Sequence, residues 1–168
     1  MKSSVELVIE LLQATYGPAG PEGRFRTYYN GDPEVIPRFN LPCIIVTQTG
    51  DSTVEGEMGE DDVTDQLIIK VLLDKRDDLT GSIEPTNLTD KRLRELVASR
   101  DDQNEYKTGT IKRMLREALL EDVTAVAPTM DIQYGISQRP TMDDESNADW
   151  TAEAHVTFSV QYSVNTYQ

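Results

Sequence analysis

Side chains suited to catalysis are scarce in this 168-residue chain, which contains one histidine and one cysteine. A single histidine excludes the common zinc hydrolase sites and other mechanisms that need two. His155 falls on the polar side of an alternating segment, which favours a solvent-facing or interface residue over a catalytic base. Cys43 follows Pro42 and precedes Ile44, a setting that favours a buried, inert thiol over a nucleophile. We therefore predict that the protein is not an enzyme, because no coherent nucleophile, base and oxyanion arrangement is present.

Carboxylates are the second group that could do chemistry, and they are concentrated in one window. Residues 41–69 contain no Lys or Arg. Carboxylate oxygens suit Ca²⁺ or Mg²⁺, but the run lacks the residue order of an EF-hand, which favours a solvated or partner-facing loop. We predict no metal and no cofactor, and we take as candidate contact residues the acidic side chains Asp51, Glu55, Glu57, Glu60, Asp61 and Asp62.

Basic residues are concentrated elsewhere, since half of the sixteen lie between positions 91 and 116. Two interpretations stay open: a solvated helix face with local ion pairs, or an interface with an acidic neighbouring subunit. The net charge of −14 argues against a protein that grips nucleic acid through its phosphates. The candidate interface residues are Lys91, Arg92, Arg94, Lys112, Arg113 and Arg116.

The elements that must position these residues follow from hydrophobic periodicity. Ser3 and Glu6 form a capping-box pattern before an amphipathic helix, and two further helices are predicted from about positions 89–90 and 110, the second extending through Leu119. Strands are predicted at 25–29, 43–47, 63–73, 130–136 and 151–164. Residues 63–73 are nearly all apolar in their second half, which is typical of a central strand, whereas 151–164 alternate and predict one buried face.

The order of these elements predicts a single α+β domain over residues 1–168. We expect an antiparallel or mixed sheet of about four to five strands, with the N-terminal helix and the two central helices packed on it. Residues 50–62 are expected to form an extended acidic loop, either mobile or shaped as the tip of a long hairpin.

The sequence also predicts where the protein is made. No apolar run approaches the roughly 18 residues that a membrane helix requires. Glu6 and Glu10 interrupt the first amphipathic segment, which excludes a secretory signal there. We therefore expect synthesis in the cytoplasm and no contact with a membrane.

Taken together, the elements resemble those of the tail terminator and tail-completion (neck) proteins of tailed bacteriophages. The resemblance rests on an architectural pattern that covers nearly the whole chain: the helix at 3–14, the proline-introduced strand at 42–46, the acidic loop, the strand at 66–74, the central helices and the final alternating strand.

The resemblance implies a structural virion protein assembled in the host cytoplasm. Proteins of this family form a ring, usually a homohexamer, which caps the tail tube and joins it to the neck or connector protein, with DNA only passing through the lumen. The acidic residues would then lie in the lumen or against an adjacent ring, and the basic residues at subunit contacts. Alternatives are a head–tail connector (adaptor or stopper), a tail-tube-like subunit, an acidic binding module and a small hydrolase.

Overall fold

The computed structural model describes residues 2–16, 25–75, 88–118, 120, 123–142 and 149–166. Strands from both ends of the chain belong to one sheet. The helices in these ranges are α1 (Ser4–Tyr16), α2 (Leu88–Ala98) and α3 (Ile111–Glu117). The strands are β1 (Thr27–Asn30), β2 (Ile36–Pro37), β3 (Cys43–Glu55), β4 (Glu60–Asp74), β5 (Ala125–Met142) and β6 (Asp149–Asn165).

The six described strands lie in the order β1-β3-β4-β6-β5-β2. The β1–β3 and β2–β5 pairs are parallel and the other pairs are antiparallel. The prediction of an α+β fold with a mixed sheet is confirmed, but the predicted number of strands was too low. The strand that sequence reasoning missed is β2, because two residues beside Thr141 are too few to show a periodicity.

Helix α1 begins where the capping-box pattern places it. The backbone N–H of Ser3 donates to the Glu6 carboxylate at 2.8 Å, and the backbone N–H of Glu6 donates to Ser3 Oγ at 3.3 Å. These reciprocal bonds satisfy amide groups that the first turn of a helix leaves without partners. Val5, Val8 and Leu12 then recur along one side of the helix and are buried.

The main core lies on one face of the sheet, and all three described helices pack there. In β6 the alternating side chains from Ala154 to Val160 fill this face. Each fully buried aliphatic or aromatic side chain contributes about 1.5–3 kcal/mol to folding, which explains why the apolar alternation located the strand correctly. From α2 and α3 the core receives Leu93, Leu96, Val97, Ile111, Met114 and Leu115.

The opposite face of the sheet is covered in part by residues 31–42, which we call the strap. Ile36 and Leu41 of the strap pack against Cys43, Ile45 and Leu72. The expectation that β6 buries one face only was therefore incomplete, since three polar residues on its other face are also buried: Thr151, Glu153 and Ser159. Alternation assigns residues to a face, but it does not reveal that a distant segment covers that face.

The acidic stretch forms paired strands, so the loop prediction for residues 50–62 was wrong and the hairpin alternative is correct. The β3–β4 ladder continues to the Glu55–Asp61 pair, interrupted only by a bulge at Thr49. Thr53, Val54 and Val63 favour strands. The carboxylates and glycines between these residues are unfavourable in strands, so the sequence pattern did not predict paired strands here.

Several boundaries also differ from the predicted ones. β5 extends far beyond 130–136 because it pairs along most of β6, with a bulge beside Gly135 at φ 66°. α3 ends at Glu117, and Ala118 is already extended. Leu119, which the predicted helix included, lies outside the described residues. No helix in the described part of the chain is both long and apolar enough to cross a membrane.

Candidate functional site

The candidate acidic residues lie on a three-stranded projection that we call the arm. The arm consists of residues 48–55 of β3, 60–66 of β4 and 159–165 of β6, held together by the β3–β4 and β4–β6 ladders. Asp51 and Glu55 lie on β3, Glu57 lies in the tip, and the remaining three lie on β4. Of these six carboxylates, only Asp61 is half-buried and the others are exposed.

Like charges face each other across the arm. Asp51 is directly opposite Asp65, and Glu55 is directly opposite Asp61. Directly opposed like charges destabilise a β-ladder. Asp65 is buried. Its carboxylate accepts a hydrogen bond from Ser4 Oγ and another, at 3.2 Å, from Gln48 Nε2. Because Ser4 belongs to α1, the first of these bonds connects the base of the arm to that helix. Folding alone does not favour this arrangement, so the opposed carboxylates are candidates for a functional role.

The tip of the arm combines a constrained backbone with exposed apolar surface. The N–H of Gly56 donates to the carbonyl of Glu60 at 2.8 Å, and a Cβ atom at position 56 would lie only 2.7 Å from that carbonyl oxygen. Met58 has a positive φ of 60° and a fully exposed side chain. Val54 and Val164 are also exposed, so both carboxylates and apolar groups lie on the surface of the arm.

A second exposed apolar set lies at the other end of the sheet. Trp150 is 53% exposed near the start of β6, and Phe39 is 70% exposed in the strap. Val35 is also exposed and immediately precedes β2. β2 pairs with β5 at Thr141, and the preceding residue of β5, Pro140, is opposite Trp150 of β6. At a rise of about 3.3 Å per residue, the distance along β6 between this set and Val164 is about 45 Å.

The candidate basic residues lie on α2 and α3, where several already have partners. Arg94 pairs with Asp90 at 3.1 Å, and Arg113 pairs with Glu117 at 2.8 Å. Lys112 lies 4.5 Å from the centre of the Tyr106 ring. These contacts support the solvated-face interpretation for part of the set, while the role of the six residues at a subunit contact stays a prediction.

Sequence reasoning missed an ionic network between the strap and the sheet, in which Glu153 is buried, Arg139 and Lys70 are half-buried and Asp32 is exposed. Arg139 Nε and Nη2 donate to the two carboxylate oxygens of Glu153 at 2.9 and 3.0 Å. Arg139 also donates to the Asp32 carboxylate and to the Pro33 carbonyl, and Lys70 donates to Asp32. The network therefore fastens the strap to β4, β5 and β6. No local signal could have found it, because its directly bonded members are separated by up to 107 positions in the chain.

The charge states in this network follow from its contacts. Burial raises the pKa of Glu153, but hydrogen bonds from His155 and Arg139 and the positive charge of Arg139 outweigh it and bring that pKa to about 2. For Asp32, burial likewise raises the pKa, but hydrogen bonds from Arg139 and Lys70 bring it below its usual value. Both carboxylates are therefore ionised at neutral pH and compensate the half-buried cations.

His155 and Cys43, both in the described ranges, are not joined by a hydrogen bond. His155 Nε2 lies 3.0 Å from Glu153 Oε1 at the border of the network, and the ring is half-buried. Cys43 is fully buried, and burial raises the pKa of its thiol to about 12, which keeps it protonated and unreactive. The prediction of a buried thiol is confirmed. In the described ranges, no group of three or more His, Cys, Asp or Glu side chains is arranged to hold a metal ion.

Comparison of the sequence with protein-family models and with curated proteins finds no match. The geometry of the arm, the two exposed apolar sets and the ionic network is therefore the basis for assigning a function.

Proposed function

We propose that the protein is a structural ring subunit of the tail-terminator type, which caps a phage tail tube and joins it to the neck. One observation carries this proposal: exposed apolar side chains lie at two opposite ends of the same sheet. A subunit of a closed ring contacts its two neighbours through two different surfaces, and a further surface contacts the adjacent ring.

The chemistry of the two surfaces differs, which supports a division of roles. Val35, Phe39 and Trp150 are apolar and close to the rigid sheet, as is common in the core of a subunit contact. The arm is long, narrow and acidic, so it reaches from the ring toward the lumen or an adjacent ring. Carboxylates in a lumen would repel DNA phosphates and keep passing DNA from adhering.

The first test is the solution mass by multi-angle light scattering over a range of concentrations, followed by electron microscopy of any large species. A closed ring of about six subunits of 18.9 kDa each is expected. A monomer at every concentration, and also when tail-tube protein is added, would contradict the proposal.

Paired variants identify the ring contact. Phe39→Ser with Trp150→Ser should convert the ring to smaller species, because it removes the apolar contact. The matched variant Met58→Ser removes an exposed side chain from the tip of the arm and should leave the mass unchanged. Loss of the ring in Met58→Ser alone would assign the ring contact to the arm instead.

A charge test addresses the arm. Glu57→Lys with Glu60→Lys should impair joining to the tube or neck and lower infectivity. The control Asp102→Lys with Glu105→Lys makes the same charge change in exposed residues outside the arm and should have little effect. Equal infectivity of both variants and the wild type would argue against a role for the arm in assembly.

An acidic binding module is the second candidate, and the local ion pairs of Arg94 and Arg113 favour it over a charge-driven ring. Such a module stays monomeric without its partner, so the light-scattering measurement distinguishes the two.

A further inference from the structure

The outer edge of β3 in the arm faces solvent. β1 pairs with β3 only from Cys43 to Val46. β4 occupies one side of residues 48–55, but no described strand pairs with their other side, and all eight residues are exposed. A strand edge of this kind offers backbone N–H and C=O groups to another extended chain.

The direction of these backbone groups follows from the tip of the arm. The N–H of Gly56 donates to the carbonyl of Glu60, so the backbone groups of Gly56 face β4. Because the direction alternates along an antiparallel ladder, those of Val54 face β4 as well. The backbone groups that point outward, away from β4, belong to Asp51, Thr53 and Glu55.

The side chains beside this edge select the charge of a partner. Asp51 and Glu55 each already face a carboxylate on β4. If the β3 edges of two copies of this chain paired with each other, further carboxylates would come together, which is unfavourable. An uncharged strand would leave the existing repulsion in place, whereas a strand carrying Lys or Arg would relieve it.

We propose that this edge binds an extended, basic segment of a partner protein, which adds a strand to the sheet beside β3. Lys or Arg lies opposite Asp51 and Glu55, and a β-branched residue lies opposite Thr53. An apolar residue lies next to Val54, which is 66% exposed. The proposal does not require a ring, so it stands or fails independently of the proposed function.

The probe that tests it is a fluorescent peptide containing Lys-Val-Thr-Thr-Lys flanked by serines, and binding is followed by fluorescence anisotropy at low ionic strength. We expect saturable binding, about tenfold weaker when both Lys are replaced by Glu. N-methylation of alternate residues keeps the charge but blocks the backbone groups of one side of the peptide. One alternating set should abolish binding, while the other set, which points away from the sheet, should be tolerated.

A protein variant provides the complementary test. Thr53→Pro removes an outward N–H and leaves the β3–β4 hydrogen bonds, since proline is tolerated where an edge N–H faces solvent. We expect about tenfold weaker peptide binding with an unchanged melting temperature. Asp51→Asn with Glu55→Gln should weaken binding about three- to tenfold and lower its salt dependence.

Three outcomes would overturn the proposal. The first is the absence of saturable binding, which would mean that the carboxylates only keep the edge unpaired. The second is equal binding of both N-methylated peptides, since attraction by net charge alone would explain it. The third is dissociation of a self-assembled form by Thr53→Pro without any peptide, which would identify a second copy of this chain as the occupant of the edge.

Discussion

At the scale of single residues, the Arg139–Glu153 pair joins β5 to β6 beneath the strap. Its two guanidinium-to-carboxylate bonds are 2.9 and 3.0 Å long, and Glu153 is only 2% exposed. A buried ion pair contributes little net free energy compared with apolar residues, but the loss of one member leaves an uncompensated charge. The position of the strap therefore depends on both Arg139 and Glu153.

The variant Arg139→Met should lower the free energy of unfolding by about 3–5 kcal/mol, because Glu153 and Asp32 lose their main cation. Urea unfolding at pH 7 measures this change. Arg100→Met is the matched control, since Arg100 is exposed and lies over the Tyr106 ring at 5.4 Å. The control should change stability by less than about 1 kcal/mol. Similar losses in both variants would show that the buried pair has no special role.

The pH dependence of stability should report on the same residue. The pKa of Glu153 in the folded protein is about 2, below its usual 4.5. Its contribution is therefore complete above pH 4.5 and is lost as the pH falls toward 2. Glu153→Gln should flatten the acid limb of the stability curve over this range. A curve parallel to that of the wild type would contradict the assignment.

At the scale of elements, the arm depends on its turn. Gly56→Ala should destabilise the hairpin by about 1–3 kcal/mol, since the new Cβ atom would meet the carbonyl of Glu60. Gly50→Ala lies in the same strand, where a Cβ atom meets nothing within 4 Å, and should be close to neutral. Thermal unfolding of the two variants measures the difference. Equal melting temperatures would mean that the tip relaxes without cost.

The same elements show what the sequence could predict. Apolar alternation at 151–164 and the Ser3–Glu6 capping box depend on residues close together in the chain, and both elements were located correctly. The extension of β3 and β5 depends on pairing with distant strands, so their ends were missed. The acidic residues were recognised as candidates, and of the two shapes expected for their segment, a mobile loop or a hairpin tip, the structure has the hairpin. The burial of Glu153 was not predicted, because the strap that covers it lies more than a hundred positions earlier in the chain.

At the scale of the whole molecule, the net charge of −14 makes salt an important variable. Raising NaCl from about 20 mM to about 300 mM should increase stability, because the carboxylates repel one another less when they are screened. The double variant Asp51→Asn with Glu55→Gln removes two opposed like-charge pairs. At low salt its free energy of unfolding should exceed that of the wild type by about 0.2–1 kcal/mol per pair, and added salt should raise its stability less.

The comparison for this prediction is Asp102→Asn with Glu105→Gln, which makes the same change in net charge outside the arm. Chemical denaturation at both salt concentrations separates the local repulsion from the overall charge. If the two variants respond alike, the opposed pairs of the arm are not the main source of the repulsion.

The burial of Cys43 also has a practical consequence. Because the one natural thiol is shielded and protonated, the wild-type chain needs no cysteine removal before maleimide labelling. A Met58→Cys variant would carry a single reactive thiol at the extreme end of the arm. A dye or spin label attached there would give distances between neighbouring arms directly, within whatever assembly the protein forms.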